Sequence, residues 1–143
     1  MQPIHTVAAI ICNDEGAVLL VRKRGSLIFI QPGGKTEPGE DPIAALAREL
    51  EEELGVDLVL SSVVCLGEFE DVAVNEPGRR VKAKAFYCRV HGTPAAQAEI
   101  EEACWLMPNA PYPVPVAPLS ASHILPSFVA FKQGMTANGN QRT

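Results

Sequence analysis

The sequence lacks the features of a disulfide-linked or zinc-bound domain. It has four cysteines and three histidines in 143 residues, no two cysteines are spaced as C-x-x-C, and the histidines are far apart. A zinc site takes ligands that are paired closely in sequence, so none is predicted. Three of the four cysteines lie among apolar neighbours in strand-like segments, and we expect buried, reduced thiols there. The cysteines are Cys12, Cys65, Cys88 and Cys104.

Long apolar runs are also missing. No stretch approaches the roughly 20 apolar residues that a bilayer-spanning helix needs. The chain starts Met-Gln-Pro-Ile-His, without a basic region followed by an apolar run. The sequence therefore predicts neither a signal peptide nor a membrane partner, and we expect a cytoplasmic protein.

Positive charge is in deficit. Lysine and arginine number 12 against 17 aspartates and glutamates, which gives a net charge of −5. A surface that binds nucleic acid is normally basic, so we expect no nucleic-acid partner. The deficit does not exclude a small phosphate-bearing substrate, because divalent cations reverse the local charge of an acidic site.

Apolar residues, by contrast, are plentiful. They make up 47% of the chain and charged residues 20%, enough for the core of one domain and too little chain for two. We expect this domain to occupy residues 1–133. The small, polar segment 134–143 is predicted to be a flexible tail.

Apolar segments separated by turn residues predict several short strands. Segments 6–12 and 17–21 flank an Asn-Asp-Glu-Gly turn and predict a hairpin. Five prolines in 108–118 predict an extended surface connection, and Pro126 must kink or restart a helix over 121–132. Further strands are predicted at 27–30, 63–70, 81–90 and 102–106.

Helical signals cover the segment 41–54. Asp41 is a plausible N-cap, Pro42 suits the first helical position, and Gly55 suits the position just past the end. At about 100° per residue, Glu49, Glu52 and Glu53 share one arc beside an apolar arc. Like charges so placed repel by a few tenths of a kcal/mol per pair. A solvated outer face would offset this weakly and hard divalent cations would offset it strongly, so both interpretations are open on the helix alone.

The residues around these glutamates distinguish the two interpretations. The segment 34–56 matches the Nudix box, G-x(5)-E-x(7)-R-E-U-x-E-E-x-G-U with U an aliphatic residue, at all nine specified positions. Nine matches at the correct spacing are far more specific than a lone glycine motif. The chain therefore resembles the Nudix hydrolases, in particular their small, single-domain MutT-like members. The matching residues are Gly34, Glu40, Arg48, Glu49, Leu50, Glu52, Glu53, Gly55 and Val56.

The resemblance implies a fold and a site. The fold would be a Nudix-type α/β/α sandwich with a central mixed sheet and a loop–helix–loop catalytic motif. The Gly34 carbonyl, Glu49 and Glu53 would bind Mg²⁺ directly, with Mn²⁺ as a possible substitute. Glu52 would bind a further ion or a metal-bound water. Arg48 would orient a box glutamate through an ion pair, and Glu40 would brace the loop against the helix; the residues implied are Gly34, Glu40, Arg48, Glu49, Glu52 and Glu53.

The implied reaction is hydrolysis of a pyrophosphate linkage by water that attacks in line while a carboxylate takes its proton. In the family this base is a box glutamate or a glutamate from an outside loop. The stretch 98–106 resembles a recurrent family segment that ends in tryptophan before the last strand. Glu99 is the first outside candidate and Glu102 the second, and a solvated acidic turn is the alternative for each.

Two features bear on the substrate. The side chains of the basic run Arg22–Arg24 would either reach substrate phosphates or lie in solvent at the end of a strand. Residues 70–74 lack the proline or tyrosine that marks some family branches, which weakens dinucleoside-polyphosphate and ADP-ribose assignments. We expect a nucleoside triphosphate, cleaved to monophosphate and pyrophosphate. The alternatives are ADP-ribose, a nucleotide sugar, a dinucleoside polyphosphate or a non-catalytic nucleotide-binding module, and a homodimer is a reasonable prior.

Overall fold

Strands form most of the molecule, with one helix in the middle of the chain and one near its end. The computed structural model describes residues 2–141, and the last two residues of the predicted tail lie outside them. The helices are α1 (Pro42–Leu54) and α2 (Leu125–Gln141). The strands are β1 (Ile4–Ile11), β2 (Val18–Lys23), β3 (Phe29–Ile30), β4 (Gly33–Lys35), β5 (Asp57–Leu58), β6 (Val64–Val72), β7 (Arg80–Cys88), β8 (Val90–His91) and β9 (Ile100–Leu106).

The central sheet is mixed, with the order β4-β1-β7-β6. Strands β1 and β7 run parallel, while β4 and β6 are antiparallel edge strands. A second sheet has the order β3-β2-β9, and β5 pairs with β8. The mixed sheet predicted from the sequence is confirmed.

Strand β1 is buried on both faces, which explains its continuous apolar run. Val7, Ala9 and Ile11 pack with the leucines of α1, whereas Ala8 and Ile10 pack with Phe128 of α2. Because successive side chains of a strand point to opposite faces, the helices lie on opposite sides of the sheet. This arrangement is the predicted α/β/α sandwich.

The prediction that the first two strands pair as a hairpin is wrong. The turn forms, since the Asn13 side chain accepts hydrogen bonds from the amides of Glu15 and Ala17. However, only Cys12 and Val18 form a bridge, after which β1 enters the central sheet and β2 pairs with β9. Both strands are buried on two faces, and each is completed by partners that are distant in sequence.

Burial of three cysteines is also overturned. All four thiols are free, but only Cys88 is buried. Cys65 and Cys104 lie on the edge strands β6 and β9, and Cys12 lies beyond the end of β1. Cys12 and Cys104 are therefore only partly buried against the core, and Cys65 is exposed.

The last helix starts with a turn of π-helix at Leu119–Ile124, and α2 follows at Leu125. Pro126 therefore stands in the first turn of α2, in agreement with the predicted restart. The backbone stays helical through Gln141 instead of becoming irregular at Gly134. The domain boundary at 133 and the flexibility of 134–143 stay predictions. No helix among residues 2–141 is long and apolar enough to cross a bilayer.

Helix α1 begins and ends as its sequence predicts. The Asp41 side chain accepts hydrogen bonds from the amides of Ile43 and Ala44, each at 3.1 Å. Gly55 has φ of 67° and donates its amide hydrogen to the Glu51 carbonyl, which ends the helix. Residues that carry the box are thus placed by local capping as well as by packing.

Removing the N-cap should therefore destabilise the protein. We expect Asp41→Ala to lower the free energy of unfolding by about 1 kcal/mol, because two amides of the first turn lose their acceptor. Chemical denaturation followed by circular dichroism measures the change. Asp41→Asn is the control and should stay within a few tenths of a kcal/mol; equal losses in both variants would contradict a capping role.

Candidate active site

Glu53, on the last turn of α1, is a buried carboxylate. Its side chain is 6% exposed, and Oε1 accepts a hydrogen bond from the Gly33 amide at 3.0 Å. Burial raises its pKa to about 7, the Gly33 hydrogen bond opposes this, and the nearby charge of Glu49 raises it further. The carboxylate is therefore held at the edge strand β4, where burial disfavours its charged form.

Glu49 lies one turn earlier and stands over Gly34. A Cβ on Gly34 would come within 2.5 Å of Glu49 Cδ, so only glycine leaves room for this carboxylate. Burial raises the pKa of Glu49, and the hydrogen bond from Arg48 opposes the shift. The backbone of β4 thus contacts both carboxylates directly.

Arg48 connects the helix to the preceding loop. Its guanidinium donates to both carboxylate oxygens of Glu40 at 2.9 Å and to Glu49 Oε1 at 2.9 Å. A further hydrogen bond at 3.2 Å reaches the Lys35 carbonyl. The hydrogen bonds from Arg48 hold the pKa of Glu40 down at about 2, so Glu40 remains charged. Every donor of Arg48 with a partner points to the box, in keeping with the positioning part implied for it.

Glu52 differs from the other two box glutamates. Its side chain is 55% exposed, and its closest approach to Arg48 is 3.7 Å. Among residues 2–135, whose side chains are described, no three His, Cys, Asp or Glu groups stand together as a metal cluster. The shared arc predicted for Glu49, Glu52 and Glu53 therefore divides into two shielded carboxylates and one in solvent.

The residues present nevertheless suit a hard divalent cation. Glu49 and Glu53 offer carboxylate oxygens next to the backbone of β4. Burial raises the pKa of both groups, and the charge of Glu49 raises the pKa of Glu53 further. Such a pair of like charges, withheld from water, is stabilised by a cation that prefers oxygen ligands. The ligand set Gly34, Glu49, Glu52 and Glu53 stays a prediction.

The two outside glutamates occupy different surroundings. Glu99 is close enough to Glu53 for its charge to raise the pKa of that group. Glu102 is instead paired with Arg22 at 3.1 Å. Glu99 thus acts on Glu53 through its charge while Glu102 is held by Arg22, and a catalytic part for either stays a prediction.

The three side chains of the basic run 22–24 also lie in different surroundings. Arg22 bonds to Glu102 and to the Ser26 carbonyl, and Arg24 bonds to Glu101. Lys23 makes no ion pair within residues 2–135, and its charge lowers the pKa of Glu49 and Glu53. The alternation of side chains along β2 separates Lys23 from its neighbours, a signal that the sequence contained.

A cavity of about 150 Å³ borders strand β4, which the two carboxylates contact. Gly33 and Gly34 form part of its wall, and Lys23 and Lys35 are at its charged side. Its other walls come from β1, the loop after β6 and the π-helical turn. Lys35 pairs with Glu76 of that loop at 2.6 Å. Sequence analysis missed this cavity, because most of its walls come from segments outside the box.

Comparisons with known proteins agree with this geometry. The protein-family model of the NUDIX domain matches residues 3–128. The CTP pyrophosphohydrolase of Escherichia coli K12 is 32% identical over 143 aligned residues, covering 96% of this chain and 100% of the relative. An 8-oxo-dGTP diphosphatase of Haemophilus influenzae is 31% identical and covers 66% of this chain and 82% of its own length. The solution structure of the E. coli ORF135 protein has a TM-score of 0.73 at 33% identity and covers 92% of both chains.

The raised pKa of Glu53 predicts how stability varies with pH. Its folded value of about 7 lies above the ordinary 4.5, so the folded protein binds more protons between these values. Stability from this group is therefore complete below about pH 4.5 and is lost as pH rises through 7. In metal-free protein, Glu53→Gln should raise the free energy of unfolding by roughly 1 to 3 kcal/mol above pH 7 and by little near pH 4.5.

Urea denaturation in the presence of a chelator, repeated from pH 4.5 to 8.5, measures this difference. Glu51→Gln, an exposed substitution on the same helix, is the matched control and should show no such trend. A Glu53→Gln protein that is less stable than the parent at pH 8 would contradict burial of a charged group.

Proposed function

Because the chain belongs to the NUDIX family, we propose that it is a magnesium-dependent pyrophosphohydrolase that converts nucleoside triphosphates to monophosphates and pyrophosphate. The family and its named relatives make the chain a hydrolase of pyrophosphate linkages acting on nucleotide-like substrates. The metal and the triphosphate substrate are the proposed parts.

One observation carries the proposal: two shielded carboxylates, Glu49 and Glu53, meet at β4 beside a cavity. Burial of two like charges costs folding free energy, and the fold keeps them in place through Gly33, Gly34 and Arg48. Apolar residues would fill a purely structural role without this free-energy cost. The arrangement is what a site for a cation and a polyphosphate requires.

Magnesium, when bound by Glu49, Glu53, Glu52 and the Gly34 carbonyl, supplies charge neutralisation and a more acidic water. The chain supplies the rest. Arg48 keeps Glu49 oriented, and Lys23 adds a positive charge that would attract substrate phosphates. The proton of the attacking water would pass to a carboxylate. Glu53 from the box and Glu99 from outside it are the candidates, and the charge of Glu99 acts on Glu53. Manganese offers the same preference for oxygen ligands and is the expected substitute.

The triphosphate assignment is supported by the relatives. The CTP pyrophosphohydrolase aligns over its complete length, and the 8-oxo-dGTP diphosphatase over most of it. Both names describe cleavage of nucleoside triphosphates or their oxidised forms. A homodimer stays a prediction, since a single chain is described.

The first experiment incubates the protein with magnesium and a panel of canonical and oxidised nucleoside triphosphates, ADP-ribose, nucleotide sugars and dinucleoside polyphosphates. We expect turnover of triphosphates, with monophosphate and pyrophosphate identified by chromatography. Glu53→Gln should lower kcat/KM by more than about a hundredfold, because a ligand charge is lost where even outer-shell changes cost 10- to 100-fold. Glu51→Gln should keep parental activity.

Three results would contradict the proposal. Cleavage confined to ADP-ribose, nucleotide sugars or dinucleoside polyphosphates would move the substrate to another branch of the family. Full activity of Glu53→Gln would remove Glu53 from the site. Nucleotide binding without any turnover would favour the non-catalytic module.

The close approach of Gly34 to Glu49 allows a second test. Gly34→Ala should reduce kcat/KM about tenfold or more, because the added methyl group displaces the Glu49 carboxylate. Gly134→Ala is the control, since a Cβ there meets nothing within 4 Å. Parental kinetics in Gly34→Ala would show that the position of Glu49 is not needed.

A further inference from the structure

The cavity beside β4 is lined in part by a buried side-chain amide that the proposed reaction does not use. Gln31, between β3 and β4, is 6% exposed and lines this cavity. Its amide nitrogen donates to the Ala9 carbonyl at 2.9 Å. Its amide oxygen is buried and accepts no hydrogen bond from any described residue.

The orientation of this amide is determined by its partner. Rotating the group by half a turn would place Oε1 against the Ala9 carbonyl, so that two acceptors would face each other. The nitrogen is therefore held by β1, and the oxygen is the group left for an occupant. A buried acceptor of this kind is normally satisfied, and its partner here has to come from outside the fold.

The surroundings of Gln31 suit a flat, largely apolar ligand. Ala8, Ala83 and Ile124 provide apolar wall on the α2 side of the sheet. Ser120, which is 2% exposed, adds a hydroxyl from the π-helical turn. Apolar walls with one or two placed polar groups are typical of sites for small molecules. A nucleobase is flat and carries hydrogen-bonding groups at its edge.

We propose that Gln31 is a specificity-determining residue that selects nucleotides whose base presents an amino group, rather than a carbonyl oxygen, to its Oε1 atom. This inference rests on the proposed function, since the same nucleotide would place its phosphates near Glu49 and Glu53. Gly33 and Gly34 border both regions, so one ligand can reach from the carboxylates into the cavity. Cytosine and adenine carry such an amino group, whereas uracil and hypoxanthine carry oxygen at the same place.

The discrimination comes from repulsion as well as attraction. An amino group donates to Oε1, whereas a carbonyl oxygen would face a second acceptor in a site shielded from water. Because Nε2 is held by Ala9, the amide cannot turn to donate instead. Sites built to hydrogen-bond one edge reject the analogue that leaves a buried group unpaired.

The test compares amino and keto partners in turnover and in binding. kcat/KM is measured for CTP against UTP and for ATP against ITP, and calorimetry measures CMP against UMP and AMP against IMP. We expect the parent to favour the amino member of at least one pair by about tenfold or more. Gln31→Met, of similar volume, should reduce that ratio to about twofold or less, mainly through a higher KM for the amino substrate.

Gln133→Met, the same change at an exposed position, is the matched control and should keep the parental ratio. Gln31→Leu repeats the test if the methionine variant does not fold. A parental preference for the keto member, no preference in either pair, or an unchanged ratio in both Gln31 variants would overturn the inference. Absent turnover, together with an amino preference in monophosphate binding that Gln31→Met removes, would reject the proposed function and support Gln31 as the selecting residue.

Discussion

The carboxylates of Glu49 and Glu53 are held against the backbone of strand β4, and most of the site is arranged around this contact. Gly33 donates an amide hydrogen to Glu53, and the missing side chain of Gly34 leaves room for Glu49. Both carboxylates have raised pKa values because water is withheld from them. The contact is unfavourable for the charged forms, and it persists because the leucines of α1 anchor the helix in the core.

Arg48 limits how far this unfavourable contact can relax. Its guanidinium is shared between Glu40, on the loop, and Glu49, on the helix, so loop and helix cannot move apart without breaking several charge-assisted hydrogen bonds. The Asp41 cap acts at the same junction through the backbone. The loop–helix segment is thereby pre-organised, so binding of a ligand does not have to include the free-energy cost of ordering it.

The same strand β4 separates two chemical environments. The carboxylates of α1 contact it on the side of one helix, while Gly33 and Gly34 also border a cavity with walls on the side of the other. A nucleoside triphosphate, the proposed substrate, has one charged end and one aromatic end, which would lie on the two sides of this edge. The position of β4 at the edge of the sheet would permit that access, since no further strand among residues 2–141 covers it.

Much of this could be predicted from the sequence, for reasons that are local. The caps of α1, the spacing of Glu49 and Glu53, and the restart of the last helix near Pro126 depend on neighbours within a few residues. The nine box positions also determined the family, and with it the α/β/α fold and the hydrolysis of a pyrophosphate linkage. Periodicity, however, placed Glu49, Glu52 and Glu53 together, because it describes direction around a helix axis and carries no information on what packs against each turn.

Only the tertiary structure decided the remaining features. Burial of Glu53 and exposure of Glu52 depend on where β4 crosses α1, and the pairing of β1 with β7 rather than β2 depends on strands far apart in the chain. For the same reason Arg22 and Arg24 pair with different glutamates, whereas Lys23 makes no ion pair among the described side chains and acts on Glu53 through its charge. Gln31 joined Ser120 at one cavity although about 90 residues separate them. Such contacts arise when distant segments close on a common core, so local pattern determines the elements and their ends, while packing determines which side chains are withheld from water and which groups they meet.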